Sequence, residues 1–191
     1  MAYYPRLSET DPTPIRGNPY WYSNYNPFYA TGVWGMPNCT CYAWGRWGEI
    51  SGGEQLYLPT GDAGTWFPTA QRIGYYVTGY TAQLGAIICY SDPDGMGHVA
   101  VVEEIHADGS ITISNSGYQS PRYFWTEHIP ANYYSAGYVF QGFIYNPHEP
   151  VPPQPPHPTG KFNPLLFYGR KKKNDIGKSK FGHSLRNGKY I

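Results

Sequence analysis

Four short runs of β-branched and aromatic residues limit the fold of this chain more than any other feature. The runs are GAIICY (85–90), HVAVVEEI (98–105), SITISNS (110–116) and FQGFIYN (140–146). Turn residues separate the first three runs, SDPDGMG after the first and HADG after the second. Runs of this kind that are joined by tight turns are typical of antiparallel strands. The sequence therefore predicts an antiparallel sheet.

Helices are predicted ahead of these strands. The segment PNCTCYAWGRW (37–47) predicts a helix with Asn38 as its N-cap and an end near Gly52. A second short helix is predicted over Ala63–Arg72, whereas residues 1–36, rich in Tyr, Asn, Pro and Gly without a period, are predicted to be loop. Helices followed by antiparallel strands indicate an α+β fold.

Charge divides the chain into two unlike parts. Residues 1–159 contain 5 arginines and 12 acidic residues, a net charge of −7, whereas residues 160–191 contain 9 basic residues and 1 acidic residue, a net charge of +8. The Pro-rich stretch HEPVPPQPPHPTG (148–160) lies at the boundary and is typical of a semi-rigid spacer. We predict a catalytic domain over 1–147, a linker over 148–160 and a basic arm over 161–191.

Several classes of protein are disfavoured by the sequence. No run of 18 apolar residues is present, so no membrane span is predicted. The start, MAYYPRLSETDP, lacks a basic region followed by an apolar one, so no Sec-type signal peptide is predicted. Three cysteines argue against a disulfide scaffold, and the six histidines contain no H-x3-5-H pair that would complete a zinc site.

Cys39 and Cys41 are candidates for chemistry because a bond between them is disfavoured. Positions two apart do not suit disulfide geometry, either on a helix or on a strand. A free cysteine is usually buried and inert, so a reactive one requires partners. Cys39 lies in the first turn of the predicted helix, where the positive end of the helix dipole stabilises a thiolate. Cys41 is predicted to face the core.

His98 and Asn115 are the candidate partners. His98 opens an apolar strand directly after a glycine loop, and an antiparallel hairpin would bring Asn115, one strand later, beside it. A thiol nucleophile needs an imidazole base and a third group that orients the ring. Each residue also has a structural interpretation: a small core cysteine, a surface histidine and a turn asparagine. The hypothesis of a Cys-His-Asn site depends on the combination, which follows the papain-type order.

The combination resembles a known family. NCTCYAWGR resembles the [GQN]-C-T-x-Y-x-x-x-R segment that opens domains of the cysteine- and histidine-dependent amidohydrolase/peptidase (CHAP) family. LGAIICYSDPDGMGHVAVVEEIHADGSITISNSGY resembles the second half of such domains, and GYVFQGFIYNP resembles their closing strand in endolysins of phages of Gram-positive bacteria. The resemblance covers roughly residues 20–147. It implies a papain-like α+β fold, with Cys39 as nucleophile, His98 as base and Asn115 holding the imidazole.

The resemblance implies hydrolysis of an amide bond in bacterial peptidoglycan, by an N-acetylmuramoyl-L-alanine amidase or a peptide endopeptidase, with the amidase favoured. It implies no cofactor and no metal, because the family's acidic calcium-loop pattern is absent ahead of Cys39. The DPDG segment (92–95) is interpreted as a turn, with weak Ca²⁺ binding as the alternative. Ala86 departs from the family, which usually has Asp after the glycine at Gly85. The oxyanion donors are expected to include the backbone N–H of Cys39.

The expected setting is a phage lysin, either a free endolysin in the host cell or a component of the virion, acting on the Gram-positive cell wall. The basic arm is predicted to bind other virion proteins, with nucleic acid as the second candidate partner. The alternative from another class is a structural virion protein that keeps the CHAP fold but has little or no activity. The intact Cys-His-Asn set favours the enzyme. A cysteine peptidase acting on proteins lacks any supporting motif.

Overall fold

The computed structural model describes residues 3–54, 57–74 and 76–148. The predicted basic arm (161–191), and the predicted linker after His148, lie outside the described residues. Within the described residues, no helix combines the length and the hydropathy needed to cross a bilayer.

In the part of the chain that the structure describes, six antiparallel strands form one sheet with the strand order β1-β6-β2-β3-β4-β5. Their bounds are β1 Thr78–Gly79, β2 Ile87–Ser91, β3 His98–Ile105, β4 Ile111–Asn115, β5 Trp125–Ile129 and β6 Val139–Ile144. The four predicted strands are β2, β3, β4 and β6, each within two residues of its expected bounds. The predicted antiparallel sheet and α+β class are therefore confirmed, while the two edge strands, β1 and β5, were not predicted.

Within the described residues, four helices precede the main strands. They are α1 Pro19–Tyr22, α2 Pro27–Ala30, α3 Cys39–Ile50 and α4 Trp66–Ile73, with a 3₁₀ turn at Ala63–Thr65 leading into α4. The prediction that residues 1–36 are only loop was wrong at α1 and α2. Asn18 and Asn26 each accept a hydrogen bond from the backbone N–H two residues further on, and a proline follows each of them at the first helical position. This pairing of cap and proline starts a helix even without an apolar period.

Helix α3 begins where the sequence predicts it. The side-chain oxygen of Asn38 accepts hydrogen bonds from the backbone N–H groups of Thr40 and Cys41, at 2.8 and 3.3 Å. A Cβ at Gly45 would overlap the indole of Trp21, so this glycine lets α1 pack directly on α3. The cap and this close packing together fix the position of Cys39 at the start of the helix.

The sheet is buried on both faces, as alternating residues of its central strands show. Ile87 and Val99 pack on the side of α3 and α4, within the larger core cluster. Ile88 and Ala100, their chain neighbours, pack into a second cluster on the other side, together with Phe143. Burial on both faces explains why β2 and β3 read as continuous apolar runs with no polar alternation.

A buried ionic network joins α3 to the sheet. Glu103, in β3, accepts hydrogen bonds from Nε and Nη2 of Arg46 at 2.9 and 2.8 Å, and from the hydroxyl of Tyr3 at 2.6 Å. The hydroxyl of Ser114 donates to the same carboxylate at 2.7 Å and accepts from the hydroxyl of Tyr42 at 2.7 Å. Charges buried in this way are stable only when they are fully paired.

Glu49 extends this network to the N-terminal segment. Its carboxylate lies 2.6 Å from Nη1 of Arg46 and 2.6 Å from Nη2 of Arg6. Arg6 is fully buried, and its backbone N–H donates to Glu103 at 2.8 Å. Burial raises the pKa of the Glu49 carboxyl, but the charges of Arg46 and Arg6 outweigh it, so the net pKa lies below its ordinary value. The network therefore ties the first residues, α3 and β3 into one unit.

Candidate active site

Cys39 is the first residue of α3 and lines an open cleft of about 600 Å³. It is partly exposed, whereas Cys41 is fully buried. Burial raises the pKa of the Cys41 thiol to about 12, which keeps it protonated and unreactive near neutral pH. Of these two neighbouring cysteines, only Cys39 can meet a substrate.

His98 and Asn115 lie at the same end of the sheet. His98 is the first residue of β3 and Asn115 the last residue of β4, and the two strands are antiparallel. Nε2 of His98 lies 2.8 Å from Oδ1 of Asn115. An amide oxygen only accepts hydrogen bonds, so Nε2 carries the proton. The other ring nitrogen, Nδ1, is then left for an interaction with the Cys39 thiol, because His98 and Cys39 each shift the other's pKa.

The two partners shift each other's pKa in opposite directions. Burial raises the pKa of the Cys39 thiol, but the hydrogen bond and charge of His98 and the backbone N–H groups of Val99 and Thr40 outweigh it, so the net pKa lies below its ordinary value. Burial lowers the pKa of His98, but the hydrogen bond and charge of Cys39 and the hydrogen bond to Asn115 leave it above its ordinary value. Each charge therefore stabilises the other, which moves the pair toward a thiolate beside an imidazolium.

Two aromatic side chains flank the His98 ring. The indole of Trp125 stacks on the imidazole with an interplanar angle of 15° and a centroid distance of 6.3 Å. The ring of Tyr138 lies 5.6 Å from it, tilted by 37°. Trp125 is the cross-strand partner of Asn115, so both side chains lie on one face of the sheet. The imidazole is thus held at its edge by the amide and on its faces by the aromatic rings.

The loop ahead of His98 is fixed by two glycines. The backbone N–H of Gly64 donates to the carbonyl of Met96 at 2.8 Å. Gly97 has φ of +64°, and a Cβ on it would meet the backbone of Gly64 and the carbonyl of Tyr90. Only glycine suits a position that combines positive φ with so close an approach. This contact sets the direction in which the chain enters β3 and so places His98.

All three residues predicted from the sequence thus come together at one end of the sheet, and their catalytic role remains a prediction. Among residues 3–54, 57–74 and 76–148, no three His, Cys, Asp or Glu side chains cluster closely enough to hold a metal ion. Asp92 and Asp94, the weak candidates for Ca²⁺, belong to no such group.

A comparison with known families identifies one domain of the chain. Residues 25–117 match the family described as the CHAP domain. The chain carries a CHAP domain. The matched segment contains Cys39, His98 and Asn115, and it also contains Tyr42 and Arg46 of the buried network.

Relatives of the CHAP domain occur in staphylococcal proteins. The chain is 33% identical over 109 residues to a probable autolysin, SsaALP, of Staphylococcus aureus, an alignment that covers 57% of this chain and 38% of that protein. It is 36% identical over 108 residues to the N-acetylmuramoyl-L-alanine amidase sle1 of Staphylococcus saprophyticus, covering 56% of this chain and 31% of the amidase. The chain therefore spans about a third of the length of these relatives.

A solved structure of an N-acetylmuramoyl-L-alanine amidase from Staphylococcus aureus is also similar. Its sequence identity to this chain is 27%, the TM-score is 0.44, and the match covers 56% of this chain and 32% of the amidase.

Two supporting features of the site are not predicted by the sequence. The first is the buried network under β4, formed by Tyr42, Arg46 and Glu103. These residues lie within the quoted motifs, but their contacts are not predicted. The available signal was a charged residue inside an apolar run, HVAVVEEI, and another inside an aromatic helix, CYAWGRW. A charge at a core position requires a partner, and the two could have been paired on that ground. Nothing in the sequence pointed to Trp125 and Tyr138 as neighbours of His98.

Proposed function

We propose that this chain hydrolyses an amide bond of bacterial peptidoglycan, with Cys39 as the nucleophile, His98 as the acid and base, and Asn115 as the residue that orients the imidazole. The observation that carries the proposal is the meeting of three side chains at the edge of an open cleft: Cys39 lines the cleft at the start of α3, and Nε2 of His98 lies 2.8 Å from Oδ1 of Asn115. The substrate class is supported by the CHAP domain and by relatives named as an autolysin and an N-acetylmuramoyl-L-alanine amidase.

In the first half of the reaction, the Cys39 thiolate attacks the carbonyl carbon of the amide. The carbon–nitrogen bond then breaks, and the His98 imidazolium donates its Nδ1 proton to the departing nitrogen, which leaves as an amine. A thioester between Cys39 and the acyl part of the substrate remains. Because His98 is protonated from the start, the nitrogen departs as a neutral amine and not as an amide anion.

In the second half, neutral His98 takes a proton from water as the water oxygen attacks the thioester carbonyl. The carbon–sulfur bond breaks, the acyl part leaves as a carboxylic acid, and the thiolate–imidazolium pair is restored. Asn115 accepts a hydrogen bond from the Nε2–H group throughout and so keeps Nδ1 directed at the sulfur. The net reaction consumes one water and one amide.

The backbone N–H of Cys39 is the donor that would stabilise the negative oxygen of each tetrahedral intermediate. The first N–H groups of a helix have no acceptor within the helix. Asn38 accepts the N–H groups of Thr40 and Cys41, which leaves the Cys39 N–H without an acceptor in the described part of the chain. A donor of this kind, aimed at developing charge, contributes on the order of 10²–10³ to the rate.

The test is a digest of purified Gram-positive cell walls by the full chain. The wild type should release soluble fragments and new chain ends, and Cys39→Ala should release none. Cys41→Ser is the matched control and should retain activity, because its side chain is buried away from the cleft. Walls that are hydrolysed equally by wild type and Cys39→Ala would contradict the proposal. An inactive wild type would instead favour a structural protein with a CHAP fold.

We also propose that the bond cleaved is the N-acetylmuramoyl-L-alanine amide and not a bond between amino acids of the stem peptide. The support is the name of the relative sle1. An amidase would create new N-terminal alanine and leave the glycan free of peptide. Mass spectrometry of the released fragments distinguishes this outcome from endopeptidase cleavage, which leaves part of the peptide on the sugar.

We further propose that the protein is a phage lysin whose basic arm (161–191) attaches it to other virion proteins. The support is the charge of −7 over residues 1–159 and of +8 over residues 160–191. Deleting residues 161–191 should leave wall hydrolysis unchanged and remove the protein from assembled particles. Loss of hydrolysis, or normal entry into particles, would contradict this role. Salt-sensitive binding of the arm to DNA would instead favour nucleic acid as its partner.

A further inference from the structure

Two aromatic side chains stand exposed in the cleft that contains Cys39. Trp34 precedes α3 and Tyr118 follows β4, so they reach the cleft from separate loops. Their ring centroids lie 5.2 Å apart with an interplanar angle of 47°. Trp34 is 42% exposed and Tyr118 is 47% exposed. The pair, called here the aromatic platform, therefore presents a large apolar surface to solvent beside the nucleophile.

Core packing does not account for the aromatic platform. Trp21, Trp47 and Trp66 are almost completely buried, and neither Trp34 nor Tyr118 belongs to a core cluster. Exposed aromatic rings that line a cleft beside reactive groups are typical of ligand sites, where apolar side chains provide contact area and a few polar groups fix the orientation.

The charged residues that line the cleft limit the chemical class of ligand that it can bind. Asp62 is the one charged side chain that lines its described part, and no Lys or Arg does. An anionic group would find no Lys or Arg side chain to pair with there, so the cleft suits a neutral ligand. The hydroxyl groups of Thr60 and Tyr118 line the same cleft and can exchange hydrogen bonds with neutral polar groups.

A sugar ring matches this combination of surfaces. One face of a pyranose presents C–H groups, which carry partial positive charge and pack on the electron-rich face of an aromatic ring. Its edge presents hydroxyl and acetamido groups, which can exchange hydrogen bonds with the hydroxyls of Thr60 and Tyr118. A stem peptide would use such a platform less well, because its flexible, charged chain has no rigid flat face.

We infer that the aromatic platform of Trp34 and Tyr118 binds the sugar ring on the acyl side of the amide that Cys39 attacks. The inference rests on the proposed function and makes it more specific. In an N-acetylmuramoyl-L-alanine amide, the carbonyl that Cys39 would attack belongs to the lactyl group of the sugar, so the ring enters the cleft with the reacting bond. The platform then favours the amide next to the sugar over amides further along the peptide.

The test compares two substrates that share one scissile amide. The first is an N-acetylmuramoyl tetrapeptide, and the second is the D-lactoyl tetrapeptide, which has the same acyl group and peptide without the sugar ring. For the full wild-type chain, KM should be lower for the muramoyl substrate. Trp34→Ala should raise that KM roughly tenfold, the effect of losing one stacked ring, with little change in kcat. Neither Trp34→Ala nor Tyr118→Ala should alter the kinetics on the lactoyl substrate.

Two further variants act as controls. Trp34→Phe keeps a flat ring and should recover most of the affinity for the muramoyl substrate. Tyr134→Ala removes another aromatic side chain, 63% exposed and outside the cleft, and should behave as the wild type. A loss caused only by poorer folding would affect both substrates alike.

The outcomes separate this inference from the proposed function. Equal effects of Trp34→Ala on both substrates, or no effect on either, would overturn the sugar site while Cys39-dependent hydrolysis still stood. Cleavage of cell walls at peptide bonds, with both small substrates untouched, would also overturn it. Hydrolysis that survives Cys39→Ala would instead overturn the proposed function.

Discussion

The indole of Trp125 stacks on the imidazole of His98 with an interplanar angle of 15°. The same tryptophan is the cross-strand neighbour of Asn115, whose Oδ1 atom lies 2.8 Å from Nε2 of His98. One pair of positions, one on β4 and one on β5, therefore restrains the ring at both its edge and its face. The amide and the indole are separate restraints, so removing either one alone leaves the other in place.

Asn115→Ala should lower kcat/KM by roughly 10- to 100-fold, less than the 10²–10⁴ that a general acid–base group itself contributes. Without the amide oxygen, the ring loses the acceptor that keeps the proton on Nε2, although Trp125 still restrains its plane. Asn115→Asp supplies an acceptor again and should retain more activity than the alanine variant. Steady-state kinetics of both variants measure this, with Asn132→Ala, an exposed asparagine, as the control. Equal activity of Asn115→Ala and wild type would exclude an orienting role.

The pH dependence of the reaction should be bell-shaped. The pKa of Cys39 is lowered, so the thiolate persists below the ordinary range of a thiol and is lost only when pH falls through that lowered pKa. The pKa of His98 is raised, so the imidazolium persists above the ordinary range of histidine and is lost as pH rises through that raised pKa. Activity should require the charged pair and decline at both lower and higher pH. The two apparent pKa values of this profile belong to the coupled pair and not to either residue alone.

Two variants test which groups shift the pKa values of Cys39 and His98. In His98→Ala the thiol loses its partner, so the pH at which iodoacetamide begins to modify Cys39 should move upward. In Glu127→Gln the His98 pKa should fall slightly, because the Glu127 carboxylate is among the groups that raise it. A Cys39 alkylation profile that is identical in wild type and His98→Ala would contradict the ion pair.

Iodoacetamide should modify Cys39 and spare the other two cysteines in the folded protein. Cys41 and Cys89 are fully buried, and burial raises the pKa of both thiols. Peptide mapping after brief treatment near neutral pH should find the label on Cys39, together with loss of activity. Rapid labelling of Cys41 in the native protein would show that the start of α3 opens in solution.

The order of helix and strands could be predicted because its signals are local. The β-branched runs mark β2, β3, β4 and β6, and Asn38 marks the start of α3, since an N-cap acts on its own helix. The edge strand β5 has no comparable signal. Its sequence, WTEHI, has three exposed residues in the centre, and it forms because β4 offers a free edge. Pairing of that kind depends on the neighbouring strand and not on the segment itself.

The candidate site divides in the same way. Cys39, His98 and Asn115 could be proposed because each lies at a recognisable place, a helix start or a strand end. The aromatic platform could not, because Trp34 and Tyr118 are 84 positions apart in loops without a period. Only the folded chain brings the two loops to one cleft. The buried network is an intermediate case. The sequence shows charged residues within apolar segments, but it does not show which of them pair.

Glu103→Gln should destabilise the fold, because it leaves the buried guanidinium of Arg46 facing a neutral amide. The Glu103 carboxylate accepts hydrogen bonds from Arg46, Tyr3, Ser114 and the backbone of Arg6, and an amide nitrogen cannot accept any of them. Breaking a buried ion pair costs about 3–5 kcal/mol. In a domain of this size, that loss lowers Tm by roughly 6–20 °C.

The matched control for this variant is Glu104→Gln, one residue along the same strand. Glu104 is only half-buried and takes part in no ion pair among the described residues. Its substitution should change Tm by no more than about 2 °C, as is usual for surface positions. Thermal unfolding followed by circular dichroism measures both variants. Equal Tm values for Glu103→Gln and Glu104→Gln would mean that the network contributes specificity of packing and not stability, because the aromatic residues of α3 would then hold the helix on the sheet unaided.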